Sequence, residues 1–400
     1  MSVRTDFDVV IVGGGMVGAL VAALLATSPQ TKALTVAVLE PHPAREPLAS
    51  ESMDLRVSAL SRAAETLLRQ VGAWPSIEAR GVCAYERMMV WDGDAPASGA
   101  DTLWFDAASV GEPNLGTIAE NRSIAAATLA CAQRAGVTMF HSALQGLTLS
   151  PAVAEVMIEG RVLRTRLVVA ADGAKSPTRG FAGLCEPITD YPQQALIAHL
   201  TPQRAHGGVA RQRFLATGPV ALLPLADGRV SLVWSTTPEE AADLIACEET
   251  AFAARVTQAT EGVLGDLTLS SPRAVWPLRR FNARHYSATR SVWVGDAAHL
   301  VHPLAGQGVN QGFLDARRLV AEIARALQAK EDLGDARCLG RYARARLAEN
   351  ALMGVALDSL YRLFTARTPG VGQIRRQALG MIQRMEWVKG LLIKRALGIS

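Results

Sequence analysis

The sequence has no CxxC pair, no HExxH and no cluster of histidine with cysteine. Its five cysteines, Cys83, Cys131, Cys185, Cys247 and Cys338, are scattered and odd in number. That pattern argues against a disulfide framework or a zinc site and points to a reducing cytosol. No facial triad of metal ligands is evident, so no metal is expected. Charge of one sign is scarce too: 41 basic residues against 37 acidic ones leave a net charge of +4. That gives no electrostatic case for nucleic acid. Internal repeats and low-complexity linkers are absent. Asp6 and Asp8 stand where a secretory signal would carry basic residues, so none is expected. With 49 % hydrophobic and 20 % charged residues the chain has the composition of a packed protein, not a disordered one. Its 400 residues exceed the usual limit of a single core, so two or three sub-domains are expected.

One long apolar run is present, VVIVGGGMVGALVAALLA over residues 9–26. Its length is that of a candidate membrane span. Three consecutive glycines inside a single helix would be costly, however. The run reads better in pieces: a β-branched buried strand to Val12, a glycine turn, and a helix from about Ala19. Gly13, Gly15 and Gly18 then form G-x-G-x-x-G. Gly13 allows the turn, Gly15 a close approach to a pyrophosphate, and Gly18 packing of helix on strand. A second strand, residues 34–39, ends in Glu40, where an acid can accept from a ribose diol. This combination indicates dinucleotide binding and leaves NAD and FAD both open.

Further along, residues 61–72 and 121–136 read as helices and 163–171 as a strand running into Asp172-Gly173. Between about 190 and 275 the pattern turns β-rich: ALIAHL, VARQRFL, VALLPL and RVSLVW, separated by turn signals such as Ala226-Asp227-Gly228. A helical patch over 238–257 interrupts it. Residues 291–294 form another buried strand, followed by Gly295-Asp296. Asp296 at a strand end can bind a sugar-like hydroxyl. Beyond it, Gly306-Gln307-Gly308-Val309-Asn310 precedes a helix expected from near Gly312, and its backbone N–H groups can face an anionic ring or carbonyl oxygen.

Three motifs in this order, GxGxxG, Asp172-Gly173 and Gly295-Asp296, resemble those of the class A FAD-dependent aromatic hydroxylases. Within that class, HPLAGQGVNQGFLD (302–315), LRVSAL (55–60) and IAENRSI (118–124) resemble the ubiquinone-biosynthesis hydroxylases. Gln311 departs from that family, which usually has an apolar residue there. The resemblance implies roles. Gly13, Gly15 and Gly18 would hold the FAD pyrophosphate, Glu40 the adenosine ribose, and Gly295-Asp296 the ribityl chain. Arg56, Asn121 and Asp172 would lie at the cofactor. Pro303 and the backbone of Gly306, Gln307, Gly308, Val309 and Asn310 would line the isoalloxazine ring, with Pro303 and Gly306 as the ring environment where catalysis occurs. His299 and His302 are expected to be structural neighbours of that loop.

The resemblance also implies a mechanism. Reduced flavin reacts with O2 to give a C4a-hydroperoxide that hydroxylates an electron-rich phenol, with NAD(P)H as donor. The substrate implied is a polyprenylated phenol of ubiquinone biosynthesis, with ring position C5 favoured over C6 and C1. The alternatives are a hydroxylase of a small soluble aromatic acid and a non-catalytic flavin-binding assembly subunit. The fold expected is α/β: a Rossmann-like FAD-binding domain (1–84, 109–185 and 275–335), an inserted β-sheet substrate domain (85–108 and 186–274), and a helical C-terminal region (336–400).

Residues 371–400 hold six basic residues and one acid, Glu386. Ile374, Ala378, Met381, Met385, Val388 and Leu392 recur at spacings of three and four, which predicts one apolar face after a Thr368-Pro369 start. Two readings stay open, a helix docked on the core or a partner and a basic amphipathic helix on an anionic membrane. The expected setting is the cytoplasm, with peripheral contact at the inner face of the membrane or docking in a multiprotein ubiquinone-biosynthesis assembly.

Overall fold

The computed structural model describes residues 4–48, 50–184, 186–300, 307–365 and 371–398. The apolar run at the N-terminus divides as its glycines demand. Strand Phe7–Val12 is followed by helix Met16–Thr27, which begins three residues earlier than Ala19. Strand and helix are both buried, and each fully buried side chain such as Ile11 or Leu20 contributes about 1.5–3 kcal/mol.

Phe7–Val12 is central to an eight-stranded sheet. Val36–Leu39 and Arg161–Ala170 flank it in parallel, with Thr138–Phe140 beyond the first and Ser291–Trp293 beyond the second. Near-continuous Val, Ile and Leu in these strands match a sheet covered on both faces. Hairpin Gly146–Leu149 and Ala154–Ile158 extends it antiparallel from Arg161–Ala170.

The second sheet has nine strands. Its long strand Thr189–Pro202 pairs antiparallel with Val230–Thr236 and Ala274–Asn282. Gly218–Pro224 and Val209–Leu215 follow, and then Arg87–Asp92 and Leu103–Asp106 from much earlier in the chain. Strand Ala274–Asn282 lies in this sheet, across the boundary expected at residue 275. A three-stranded sheet of Val57–Leu60, Gly116–Glu120 and Cys83–Tyr85 stands apart from both.

The helical patch expected over 238–257 is two helices, Pro238–Ala246 and Glu249–Ala259. Leu244, Phe252 and Val256 of these helices bury one face of the second sheet, packing on Leu196, Leu200, Leu222, Leu232 and Trp234. Because side chains alternate along a strand, the opposite face carries Ile197, Val233 and Ala221 in register. These three are only half-buried. Farther along this face, Met353, Leu379 and Ile382 of the C-terminal helices pack on Met88, Val90, Phe105 and Phe214.

Candidate active site

Three adjacent parallel strands end together, and their ends bring the three motifs into one place. The Ala171 N–H donates to the Val12 carbonyl at 2.8 Å, and the Val294 N–H to the Ala170 carbonyl at 3.0 Å. Gly13, Asp172 and Gly295, distant in sequence, therefore begin neighbouring turns at the carboxyl edge of the sheet. That edge is where open α/β sheets bind ligands.

The first turn is fixed by sterics. Gly13 has φ +101°, and a Cβ there would lie 2.4 Å from the Ala171 carbonyl oxygen. A Cβ on Gly18 would lie 2.0 Å from the Gly13 carbonyl oxygen, so only glycine lets the helix pack this close. Gly15 differs: nothing lies within 4 Å of its Cβ position. It caps the Met16–Thr27 helix with no side-chain hydrogen bond, and the first turn holds no acid. The helix thus presents free N–H groups and a positive dipole end to open space, which suits a pyrophosphate. Glu40 accepts from the Gly14 N–H at 2.8 Å and the His42 N–H at 3.0 Å, one bond per oxygen. Each oxygen keeps a lone pair for a ribose hydroxyl.

Arg56 and Asn121 come together across the small sheet. The Asn121 N–H donates to the Arg56 carbonyl at 3.0 Å, and the Ser58 hydroxyl to Asn121 Oδ1 at 2.6 Å. The exposed Arg56 is close enough to Asp296 to favour its ionised form. Asp172 Oδ2 accepts from the Thr178 N–H and hydroxyl at 2.9 and 2.6 Å, while its Oδ1 is buried with no partner. An orphaned carboxylate oxygen at this edge fits a hydroxylated ligand. Asp296 is solvent-open yet lies deep in the protein mass. Burial pushes its carboxyl above the usual range, Asp315 adds to that, and His299 and Arg56 oppose it.

The second glycine segment needs a correction. The helix expected from near Gly312 begins at Gln307 and runs to Gln328. Gln307, Gly308, Val309 and Asn310 therefore form its first turn, whose N–H groups have no partner within the helix. Gly312 sits inside the helix because its Cβ would lie 2.5 Å from Val17 of the Met16–Thr27 helix. Tertiary packing overrides its low helix propensity. Asn310 uses its side chain structurally: Oδ1 accepts from the Ser61 N–H and Nδ2 donates to the Ala59 carbonyl, both at 2.9 Å. Pro303 and Gly306, with His302, lie outside the described residues.

Behind the Gly295 turn is a buried polar cluster that sequence reasoning missed. Asp315 Oδ2 accepts from the Gly295 N–H at 2.8 Å and from His299 Nε2 at 2.6 Å. Its Oδ1 accepts from Arg346 Nε at 2.6 Å. Arg346 Nη2 donates to Asn350 at 2.8 Å and to the Gln311 side chain at 3.0 Å. Burial alone would raise the Asp315 carboxyl, but His299 and Arg346 outweigh it and hold it below the usual range. His299 is buried beside Asp315. Gln311, the departure from the family, supplies an oxygen to Arg346. A second arginine, Arg179, joins two motifs: its Nη1 donates to the Ala297 carbonyl at 2.7 Å and its Nη2 to the Ala174 carbonyl at 2.7 Å.

Residues 6–351 match the family model described as an FAD binding domain. The ubiquinone biosynthesis monooxygenase COQ6 of Xenopus tropicalis is 34 % identical, over 96 % of this chain and 91 % of its own. The 3-demethoxyubiquinol 3-hydroxylase of Escherichia coli is 32 % identical over 98 % of both chains. Among solved structures, PqsL of Pseudomonas aeruginosa with 2-aminobenzoylacetate superposes with a TM-score of 0.77 over 94 % of this chain and 99 % of its own, at 23 % identity. The chain belongs to the FAD-binding family of ubiquinone-biosynthesis monooxygenases.

Proposed function

We propose that this enzyme hydroxylates the ring of a polyprenylated phenol in ubiquinone biosynthesis, at C5. The observation that carries this reading is near full-length similarity, at 32–34 %, to relatives named for that pathway. FAD, when bound, supplies the dioxygen chemistry, and NAD(P)H serves as electron donor. The chain's own groups bind and orient. Gly13, Gly15 and the Met16–Thr27 helix terminus hold the pyrophosphate, Glu40 the ribose, and Asp172 and Asp296 hydroxyl groups. The first turn of the Gln307–Gln328 helix directs N–H groups toward the ring system, in the environment we assign also to Pro303 and Gly306. Arg56 and Asn121 border the site.

We assign the phenol to the face of the second sheet that the Pro238–Ala259 helices leave uncovered. Its half-buried Ile197, Ala221 and Val233 suit an apolar ring and tail better than a carboxylate. In this reading the FAD-binding domain comprises 1–84, 109–185 and 275–335, the substrate domain 85–108 and 186–274, and the helical region 336–400. Among the described residues no helix is long and apolar enough to cross a membrane. We propose peripheral contact through 371–400 at the cytoplasmic face, in a multiprotein assembly on the pathway.

Deletion of the gene followed by mass spectrometry of the lipid extract tests the reading. It predicts loss of ubiquinone and accumulation of a polyprenylphenol lacking oxygen at C5. Unchanged quinone, in a strain with no second hydroxylase, would contradict it. A different missing oxygen would move the ring position.

A further inference from the structure

The apolar face expected along 371–400 is not a single stripe. The chain forms two helices, Val371–Arg384 and Glu386–Leu397, that break at Met385. The 366–370 start lies outside what the structure describes, as do the side chains of Ile374 and Ala378. The second helix is buried along Lys389, Ile393 and Leu397, spaced by four. Ile393 and Leu397 pack with Tyr85, Phe105, Val110 and Leu115 beside the second sheet. Gln383 fixes the first helix to that sheet's edge strand, its Oε1 accepting from the Trp104 N–H at 2.9 Å. Docking on the core, one of the two open readings, thus accounts for one face of the helix.

The other face is apolar as well. Trp387 and Leu391, also four apart, are 70 % and 63 % exposed, and Leu392 is 42 % exposed. Met381 on the preceding helix is 64 % exposed. Exposed Arg384, Lys394 and Arg395 surround these residues. The acid on this helix, Glu386, is neutralised by Lys389 at 2.8 Å. A helix that has already buried one side gains no stability from apolar groups on the other. Outward tryptophan and leucine ringed by uncompensated cations are the pattern of a helix lying in the headgroup region of an anionic bilayer.

We infer that the outward face of Glu386–Leu397, with Trp387, Leu391, Lys394 and Arg395, docks on an anionic lipid surface. This deepens the membrane contact proposed above and rests on that reading for its purpose. The same C-terminal region roofs one end of the uncovered sheet face through Met353, Leu379 and Ile382. Docking here therefore brings that face close to the bilayer that holds a polyprenyl tail.

The test is cosedimentation of the full FAD-loaded protein with vesicles of phosphatidylglycerol and phosphatidylethanolamine, compared with phosphatidylcholine vesicles. Binding is expected only to the anionic vesicles and should weaken with salt. Trp387→Ser/Leu391→Ser and, separately, Lys394→Glu/Arg395→Glu should each lower partitioning by about tenfold or more. The charge variant leaves the apolar residues in place, so it stays informative if the other fails to fold. Failure of the parent to bind overturns the proposal, and so does equal binding by both variants. If light scattering shows an oligomer that Trp387→Ser/Leu391→Ser dissociates, the face joins copies of the chain and the lipid proposal is wrong. Hydroxylation of a detergent-dispersed polyprenylphenol is measured in parallel. Its absence contradicts the substrate reading and leaves the vesicle result standing.

Discussion

At Gly13–Gly18 the chain turns under steric constraint, and at Gly295–His299 it turns against a buried carboxylate. Both turns leave the carboxyl ends of parallel strands in the same sheet, Phe7–Val12 and Ser291–Trp293. In the first, the main restraint is steric: a side chain on Gly13 or Gly18 would strike a backbone carbonyl oxygen within 2.4 Å. In the second, the Gly295 N–H is tethered to Asp315, which His299 and Arg346 hold ionised in a fully buried site. A steric turn carries its own instructions. An electrostatic one borrows them from an arginine 31 residues beyond the carboxylate.

The comparison breaks first at Arg346. Arg346→Met leaves the buried Asp315 with His299 but without its arginine and should destabilise the protein by about 3–5 kcal/mol in urea unfolding at neutral pH. In the parent, Asp315 has a lowered folded pKa. Its stabilisation is complete above the unfolded carboxylate value of about 3.9 and disappears as pH falls through the lower folded value. Acidification from neutrality to about pH 5 should therefore leave this cluster intact in the parent. The deficit of Arg346→Met should shrink as acid protonates the carboxyl that has lost its arginine. A deficit independent of pH would mean that Arg346 acts by packing alone.

Gly18→Ala comes next, at about 3 kcal/mol, with loss of bound FAD and no dependence on acid pH. A pH-dependent deficit here would erase the distinction between the two turns. Gln311→Leu removes one acceptor from Arg346 and should cost about 1 kcal/mol, seen as a lower urea midpoint with an unchanged slope. Gly15→Ala should change stability least, by about 0.5 kcal/mol, because its Cβ meets nothing. It should still weaken FAD binding by about tenfold in flavin-fluorescence titration, since the methyl enters the pyrophosphate space. Asp296→Asn sharpens the contrast through its sign. The parent carboxyl has a raised pKa, so its charged form burdens the apoprotein at pH 8, and the burden fades as pH falls. The variant apoprotein should melt no lower than the parent at pH 8, and it should bind FAD more weakly.

The same contrast decides what was legible in the residues alone. Gly13, Gly15 and Gly18 were readable because strand, glycine spacing and helix lie within one short segment. The start of the Gln307–Gln328 helix was placed five residues late because Gly308 and Gly312 depress helix propensity. What overrides them is Val17, distant in sequence, packed against Gly312. Arg346 carried no signal at all. An arginine on a long helix reads as solvated surface until the fold places Asp315 against it. The strand runs of the second sheet were legible from alternation, and the resemblance put residues 85–108 in its domain, but the parallel pairing of Arg87–Asp92 with Val209–Leu215 had no signal in the residues. The C-terminal periodicity was visible, but its break at Met385 and its two apolar faces were not.

The central claim is that the convergent turns hold a flavin used to hydroxylate a lipid-tailed phenol. Its most direct test is to supply the FAD-loaded protein with NADPH, isotopically heavy dioxygen and a polyprenylphenol, and to follow the phenol by mass spectrometry. The account predicts a product carrying one heavy oxygen on the ring at C5, formed only with FAD and the reduced nicotinamide present. NADPH consumption with no label in the phenol, under conditions where a small aromatic acid is hydroxylated, would contradict it.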